Sequence, residues 1–294
     1  MYGIIDLGSN TIHLKIYKKD KNKLVELLDK KEFTKLASYV DDGFLNEVGI
    51  NRCINILTEF KETLKLFNIK EYYVIATASL RNINNRENVV EIIKNETGLD
   101  IIILSGEDEG LYDYYGVRLK ENLSNGLIVD IGGGSTEIVF VKDNEAGLKI
   151  SIPYGSLNIY KGCSKNKFPN QKEYRDIKKV IKEELSKYNL PDFAIEKLIG
   201  VGGTIRALKK ISNSYENDVE FDEINRLIKL SKKDEDTYEN LILNVIPERI
   251  YTITPGLIIL RTIMKFYGIN NVTINNYGLR EGYLDYILRN KENK

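Results

Sequence analysis

The residues in this chain that could do chemistry together are clustered glycines, short hydroxyls and carboxylates. The densest group lies in Gly126–Val141, GLIVDIGGGSTEIVFV. There an apolar run ends in Asp130, and Gly132, Gly133, Gly134, Ser135, Thr136 and Glu137 precede a second apolar run. Two β-branched runs around glycines predict a β-hairpin. Glycines admit positive φ and close approach of a ligand to the backbone, and successive N–H groups around such a turn form an anion-binding nest. A carboxylate at each end of the nest could hold a cation beside a bound phosphate. A plain turn needs neither the hydroxyls nor the acids, which favours phosphate binding.

The chain opens on the same pattern. Gly3-Ile4-Ile5-Asp6-Leu7-Gly8-Ser9-Asn10-Thr11-Ile12 places Asp6 and Gly8 where Asp130 and Gly132 recur, at a constant offset of 124. A repeat on that scale predicts two similar α/β halves facing each other. Two Asp-bearing phosphate hairpins across one cleft point to phosphoryl transfer or phosphate hydrolysis. A third glycine turn, Gly202-Gly203-Thr204, follows an apolar run from Leu198 to Val201 and opens a helix. That arrangement makes an anion site or lets a nucleotide come close.

Other candidates sit just past strand ends, where open α/β sheets place ligand contacts. Arg81 follows the strand Tyr72–Ala76; it could grip a phosphate through its planar fork or form a surface ion pair. Glu107, Asp108 and Glu109 follow the strand Ile101–Leu104. Ser105 with Asp108 reads as a capping box for a helix over Glu109–Val117, and first-turn acids suit the helix dipole. Capping accounts for one or two of these acids, and a water-activating carboxylate belongs in the same place.

These groups must be held by alternating strands and helices. A strand is expected over Leu24–Leu28, a loop over Lys30–Asn46, and then a helix whose apolar stripe is Ile50, Cys53, Ile54, Leu57, Phe60, Leu64 and Phe67. Further helices are expected over Asp222–Leu230 and from Pro255 to Phe266, with Ser212–Asp236 otherwise irregular. The Lys-rich stretch 160–184 carries an apolar helical stripe (Tyr174, Ile177, Ile181, Tyr188), so its lysines read as a solvated face before they read as a polyanion track.

Length and composition bound the answer. A chain of 294 residues suits two domains with sizeable cores. A formal net charge of zero argues against a nucleic-acid protein that relies on a strong basic field. No apolar run approaches membrane-spanning length, and a strand begins almost at Met1, which leaves no room for a signal peptide. Cys53 and Cys163 are too few for a disulfide framework, and a reduced cytoplasmic setting fits best. One histidine, His13, excludes a His-rich metal site.

In order, IDLGSNTIHL, ATASLR, SGEDEGLYDYYGV, VDIGGGSTEIV, IPYGSLN, GVGGTIRAL and YGLREGYL resemble the motifs of the exopolyphosphatase/guanosine pentaphosphate phosphatase (Ppx/GppA) family in its short, two-domain form. The resemblance implies two ribonuclease-H-like domains of the actin and sugar-kinase type around a cleft, over 1–117 and 118–281, with a C-terminal helix at about 282–294 packing back on the first. It implies that Glu109 is the catalytic acid and that Arg81 acts with it. Phosphate would be cradled by Gly8, Ser9, Asn10 and Thr11, by Gly132, Gly133, Gly134 and Ser135, and by Gly203 and Thr204. Mg²⁺ or another divalent cation would lie near Asp130 and Glu137, with Asp6 as the related acid of the first hairpin.

His13 stands where relatives carry Arg or His; it either faces phosphate or packs the hairpin. The implied substrates are inorganic polyphosphate and guanosine penta- or tetraphosphate, with no membrane or nucleic-acid partner, and homodimerisation is compatible. Departures from the pattern, such as Asp108 in place of a second Glu and ERIYTITPG at Glu248–Gly256, bear on substrate preference. An ATP-dependent kinase of the same fold and a non-catalytic binder of polyphosphate or ppGpp are the other readings.

Overall fold

In the computed structural model, which describes residues 1–292 apart from 22, 190 and 215, the repeated hairpins open two separate mixed sheets. The chain divides into two compact units, Met1–Asp108 and a second that begins at Glu109.

The first unit comprises β1 (Tyr2–Leu7), β2 (Thr11–Asp20), β3 (Lys23–Phe33), a ribbon of β4 (Val40–Asp41) and β5 (Phe44–Leu45), α1 (Glu47–Leu66), β6 (Glu71–Ala76), α2 (Ala78–Arg81), α3 (Arg86–Thr97) and β7 (Ile101–Ile103). Its sheet order is β3-β2-β1-β6-β7. The second unit is entered through α4 (Gly106–Arg118). It continues with β8 (Gly126–Ile131), β9 (Thr136–Lys142), β10 (Glu145–Ile152), α5 (Ser156–Cys163), α6 (Gln171–Leu185), β11 (Lys197–Val201), α7 (Gly202–Ile211), β12 (Asp218–Glu220), α8 (Phe221–Lys233), α9 (Glu235–Val245), α10 (Ile253–Tyr267), β13 (Asn271–Ile274) and α11 (Leu279–Glu292). Its order is β10-β9-β8-β11-β13-β12. In each sheet a three-strand antiparallel meander is followed by two parallel strands on the side of its first strand. This is the ribonuclease-H-like order that the family resemblance implied, with β12 added at one edge.

Several expectations are corrected. Strand β3 runs on to Phe33, and a 3₁₀ turn at Leu36–Tyr39 and the β4–β5 ribbon occupy the expected loop. The strand is an edge strand with charged residues along it, so its apolar signal is weak. On α1, Cys53 is core, but Phe67 caps the helix and is 48% exposed. Pro255 lies in the first turn of α10, two residues inside its start, and α9 lies partly in the stretch read as irregular. The C-terminal helix is not among these corrections: α11 falls in the second unit together with α4, and its Gly282 lies against Tyr112 and Gly116, within the expected 1–117; the last two positions of the helix expected over 282–294 lie outside the described residues.

Period-2 alternation decides what faces the site. On one face of the second sheet, Leu127, Val129, Ile131, Ile138 and Phe140 join the main core with α6, α7, α8 and α10. On the other, Ile128, Val139, Val141, Ile199 and Val201 receive Tyr114 and Val117 of α4. Because successive strand side chains alternate, Asp130 and Glu137 fall on the face that α4 covers. Burial of each large apolar side chain there contributes about 1.5–3 kcal/mol.

Candidate active site

Helix α4 starts three residues earlier than the sequence led us to expect, and its start separates the three acids. Ser105 Oγ accepts the Asp108 N–H at 3.0 Å and donates to the Asp108 carboxylate at 2.7 Å. Glu107 and Asp108 are solvent-exposed, whereas Glu109 is buried. Capping therefore accounts for Asp108 and leaves Glu109 turned into the protein. The next residue, Gly110, lies against Val139 and Glu137; a Cβ there would come within 3.0 Å of the Val139 side chain.

The central hairpin forms as predicted, with Asp130 and Glu137 paired across β8 and β9. Glu137 is 1% exposed and accepts a hydrogen bond from Ser151 Oγ at 2.9 Å. The turn closes through the Gly132 N–H to the Ser135 carbonyl at 3.0 Å, and the first hairpin closes identically, Gly8 N–H to Thr11 carbonyl at 3.0 Å. The segment after β10 straps the glycine turn. The N–H groups of Ser156, Leu157 and Asn158 donate to the carbonyls of Gly132 and Gly133, and the Asn158 amide donates to the Gly134 carbonyl at 2.7 Å. With those carbonyls engaged by the start of α5, the N–H side of the turn is the side left to meet an anion.

The third glycine turn faces the same acid. Gly202 has φ +80°, and a Cβ on it would collide with the Asp130 carboxylate. Beside it a Cβ on Gly203 would collide with the Arg249 guanidinium, so backbone and guanidinium approach as only glycine permits. Thr204 is 1% exposed and its hydroxyl has no hydrogen-bond partner among the described residues.

Two residues that sequence reasoning did not place in the site belong to this constellation. Burial and then the nearby Arg206 lower the Arg249 pKa to about 10, against Glu248 and Asp130, which raise it; it stays cationic at neutral pH. Its signal was the arginine in ERIYTITPG, read there only as a departure. Asp113 is 1% exposed. Neither of its carboxyl oxygens has a hydrogen bond of full geometry; the Leu279 N–H gives partial compensation. Its pKa is raised well above the usual range, first by burial, then by the charges of Asp130, Glu109 and Glu137. Four carboxyl groups thus sit close enough to influence one another. The i, i+4 spacing of Glu109 and Asp113 was the sequence signal.

In the first unit, Asp6 pairs in register with His13, the position that Glu137 occupies in the repeat. His13 Nε2 lies 2.5 Å from Asp29, so the histidine serves the β2–β3 pairing. Burial would raise the Asp29 pKa, but the hydrogen bond and charge of His13, with Lys31 and Lys15, hold it well below the usual range. Both amide atoms of Asn10 are buried without a hydrogen-bond partner among the described residues, in a turn whose Ser9 is also buried. Arg81, on α2, donates to the Leu104 carbonyl at 3.0 Å.

Among the described residues no three His, Cys, Asp or Glu side chains are arranged to enclose a metal ion. A Mg²⁺ ion ordinarily takes only one or two carboxylates, filling its shell with water and substrate phosphate oxygens. The paired hard-oxygen donors Asp130 and Glu137 fit that mode. No helix is long and apolar enough to cross a membrane.

Comparison with known proteins agrees with this architecture. The chain is 28% identical over 289 residues to the guanosine-5'-triphosphate,3'-diphosphate pyrophosphatase of Aliivibrio fischeri, covering 96% of this chain and 58% of that protein. The protein of the same name from Aeromonas hydrophila is 28% identical over 301 residues, covering 99% and 60%. The chain therefore spans about three fifths of the length of the curated relatives it matches. The crystal structure of the Aquifex aeolicus Ppx/GppA family member is similar over 100% of this chain and 98% of its own, with TM-score 0.81 and 28% identity. An exopolyphosphatase from Cytophaga hutchinsonii shares the fold at TM-score 0.85 and 23% identity, over 98% of each chain. The sequence model of the Ppx/GppA phosphatase family matches residues 15–291, and the chain belongs to that family.

Proposed function

We propose that this protein is a phosphohydrolase that removes the terminal orthophosphate of inorganic polyphosphate, or the 5'-γ-phosphate of pppGpp, by attack of water. One observation carries this reading: α4 holds the buried Glu109 over the sheet face that bears the Asp130–Glu137 pair, next to glycine turns and the partly buried Arg249. Phosphoryl transfer asks for alignment and charge neutralisation more than covalent help. Glu109 accepts a proton from the attacking water as its oxygen bonds to the terminal phosphorus. The bridging P–O bond breaks, and the leaving phosphate carries away the electron pair. Asp130 and Glu137 would hold a divalent cation, which when bound supplies neutralisation of the phosphate oxygens. With the Gly132 N–H closing the turn onto Ser135, the turn's following residues Gly133–Ser135 and Gly203–Thr204 cradle those oxygens through backbone N–H groups, and Arg249 adds fixed positive charge. Within the first unit taken by itself, Gly8–Thr11 and Arg81 are the proposed phosphate-binding groups, with the buried Asn10 amide lacking a hydrogen-bond partner among the described residues. The cytoplasm is the setting we propose for this reaction.

The test is orthophosphate release by purified protein with Mg²⁺, comparing polyphosphate, pppGpp and ATP, with Glu109→Gln beside the parent. Release from polyphosphate or pppGpp that falls by about 10²-fold or more in kcat in the variant, with KM little changed, supports the proposal. No release from either substrate, or equal loss in kcat and binding, overturns it.

A further inference from the structure

Away from the glycine turns, one face of the second unit gathers cations from three helices. Along α6, Arg175, Lys178 and Lys182 recur at helical spacing on one stripe, so their Cα atoms step about 4.5 and 6 Å along the axis. Helix α6 packs along α10, which packs along α8, and those helices contribute Arg261, Lys265 and Lys232. The stripe borders an open groove of about 600 Å³ that Asp176 and Glu183 also line. Glu183 pairs with Lys179 at 3.8 Å. By contrast Lys178, Lys182, Lys265 and Arg261 have no carboxylate partner among the described residues; Arg261 donates instead to the Asn225 amide. These cations also disfavour one another. The pKa of Lys178 is lowered, first by lost hydration and then by Lys182, Lys265 and Arg261, and that of Lys232 by lost hydration and Arg261.

We propose that this face is an exosite for the body of a linear inorganic polyphosphate chain whose end is hydrolysed at the glycine turns. The inference rests on the phosphohydrolase reading. Three observations select the partner. Cations without carboxylate partners, spread over three helices, call for an anion that bears charge along its length, which a single nucleotide does not. Base stacking, the means by which single-stranded nucleic acids are usually held, is blocked: Lys232 Nζ lies 3.5 Å from the centre of the Tyr174 ring and Arg261 lies 5.1 Å from that of Phe221. Helix α10 also links the two places. Gly256 packs on Thr204 of the third glycine turn, and Arg261 and Lys265 follow about 8 and 14 Å further along the axis at 1.5 Å per residue.

The deciding variant is Lys178→Ala/Lys182→Ala/Lys265→Ala, which removes only partly or fully exposed side chains. Orthophosphate release would be measured on tripolyphosphate and on polyphosphate several hundred units long, across a salt series. Binding of labelled long-chain polyphosphate without divalent cation would be measured in parallel. The expected result is a KM for the long chain raised tenfold or more and a shallower salt dependence, by about two in the log–log slope for three lost contacts. KM and kcat for tripolyphosphate should stay within twofold, which also reports intact folding. A long-chain KM within twofold of the parent overturns the exosite. So does binding of a homopolymeric RNA of equal length as tightly as polyphosphate, with the same loss in the variant. If the parent releases no orthophosphate, the hydrolase reading fails by itself. The binding arm then decides alone: salt-dependent polyphosphate binding lost in the variant supports the exosite, and binding retained overturns it.

Discussion

Asp113 follows Glu109 by one turn on α4, so the two carboxyl groups share a helix face above the Asp130–Glu137 rung. Four ionised carboxylates cannot share so dry a place cheaply, and one relief is for one deeply buried member to keep its proton. Asp113 is that group: burial and then its three acidic neighbours raise its pKa.

The sign of the pH dependence follows. An acid whose folded pKa is raised contributes stability that is full below its unfolded value of about 3.9 and is lost as pH climbs toward the folded value. Asp113→Asn removes that loss. The variant should gain thermal stability over the parent, least near pH 4 and increasingly as pH rises, reaching a few °C at about 2–4 °C per kcal/mol. Melting curves from pH 4 to 9 test this, and an advantage that shrinks with rising pH would refute the protonated assignment.

A second prediction concerns what seats α4. Gly116 lies against the Gly278 backbone, and Gly282 of α11 lies against the Tyr112 carbonyl and the Gly116 N–H, in both cases with no room for a Cβ. Gly-to-Ala inside a helix ordinarily stabilises by about 0.5–1 kcal/mol. Gly282→Ala should do the reverse, since the obstacle is backbone; overpacking of this kind costs about 1–3 kcal/mol. We expect a Tm lowered by roughly 5 °C and a reduced kcat, because the displaced helix carries Glu109. A raised Tm would show that α4 and α11 are not held at backbone contact.

How much of this was legible in the sequence depends on whether the signal was local. The hairpins were, because Asp, glycine and β-branched runs specify turn and register within sixteen residues, and their recurrence predicted two similar α/β halves. Edge strand β3 was legible only over Leu24–Leu28, because solvent on one side admits Lys, Glu and Asp where a central strand would show apolar alternation. Glu109 was visible as one of three acids, but only burial separates it from Asp108, which spends itself on Ser105. Arg249 and Asp113 were hidden for a common reason: each acquires its role from neighbours far along the chain. Arg249 faces Gly203, and Asp113 faces Asp130, Glu137 and Gly278. His13, for which facing phosphate and packing the hairpin were both open, makes its side-chain contact with Asp29 of the neighbouring strand β3.

The Gly203–Arg249 contact gives a third prediction, because the two adjacent glycines are constrained differently. Gly202 has φ +80° and abuts the Asp130 carboxylate, so Gly202→Ala combines backbone strain with a displaced acid and should lower stability and activity together. Gly203 has an ordinary φ, and the atoms a Cβ would meet are the mobile end of the Arg249 side chain. Gly203→Ala should leave Tm within about 2 °C, since a shift of under 1 kcal/mol is expected when a flexible side chain gives way. What it changes is where the guanidinium sits. If Arg249 neutralises phosphate charge there, the variant should lose about tenfold or more in kcat/KM on polyphosphate or pppGpp, and Arg249→Lys should lose a comparable amount, because a point charge does not reproduce the planar fork. Combining the two should then add little, as expected for residues acting through one contact. Full additivity in that double-mutant cycle, or unchanged kinetics in Gly203→Ala, would remove Arg249 from the phosphate site and leave its contact with Gly203 as a packing feature alone.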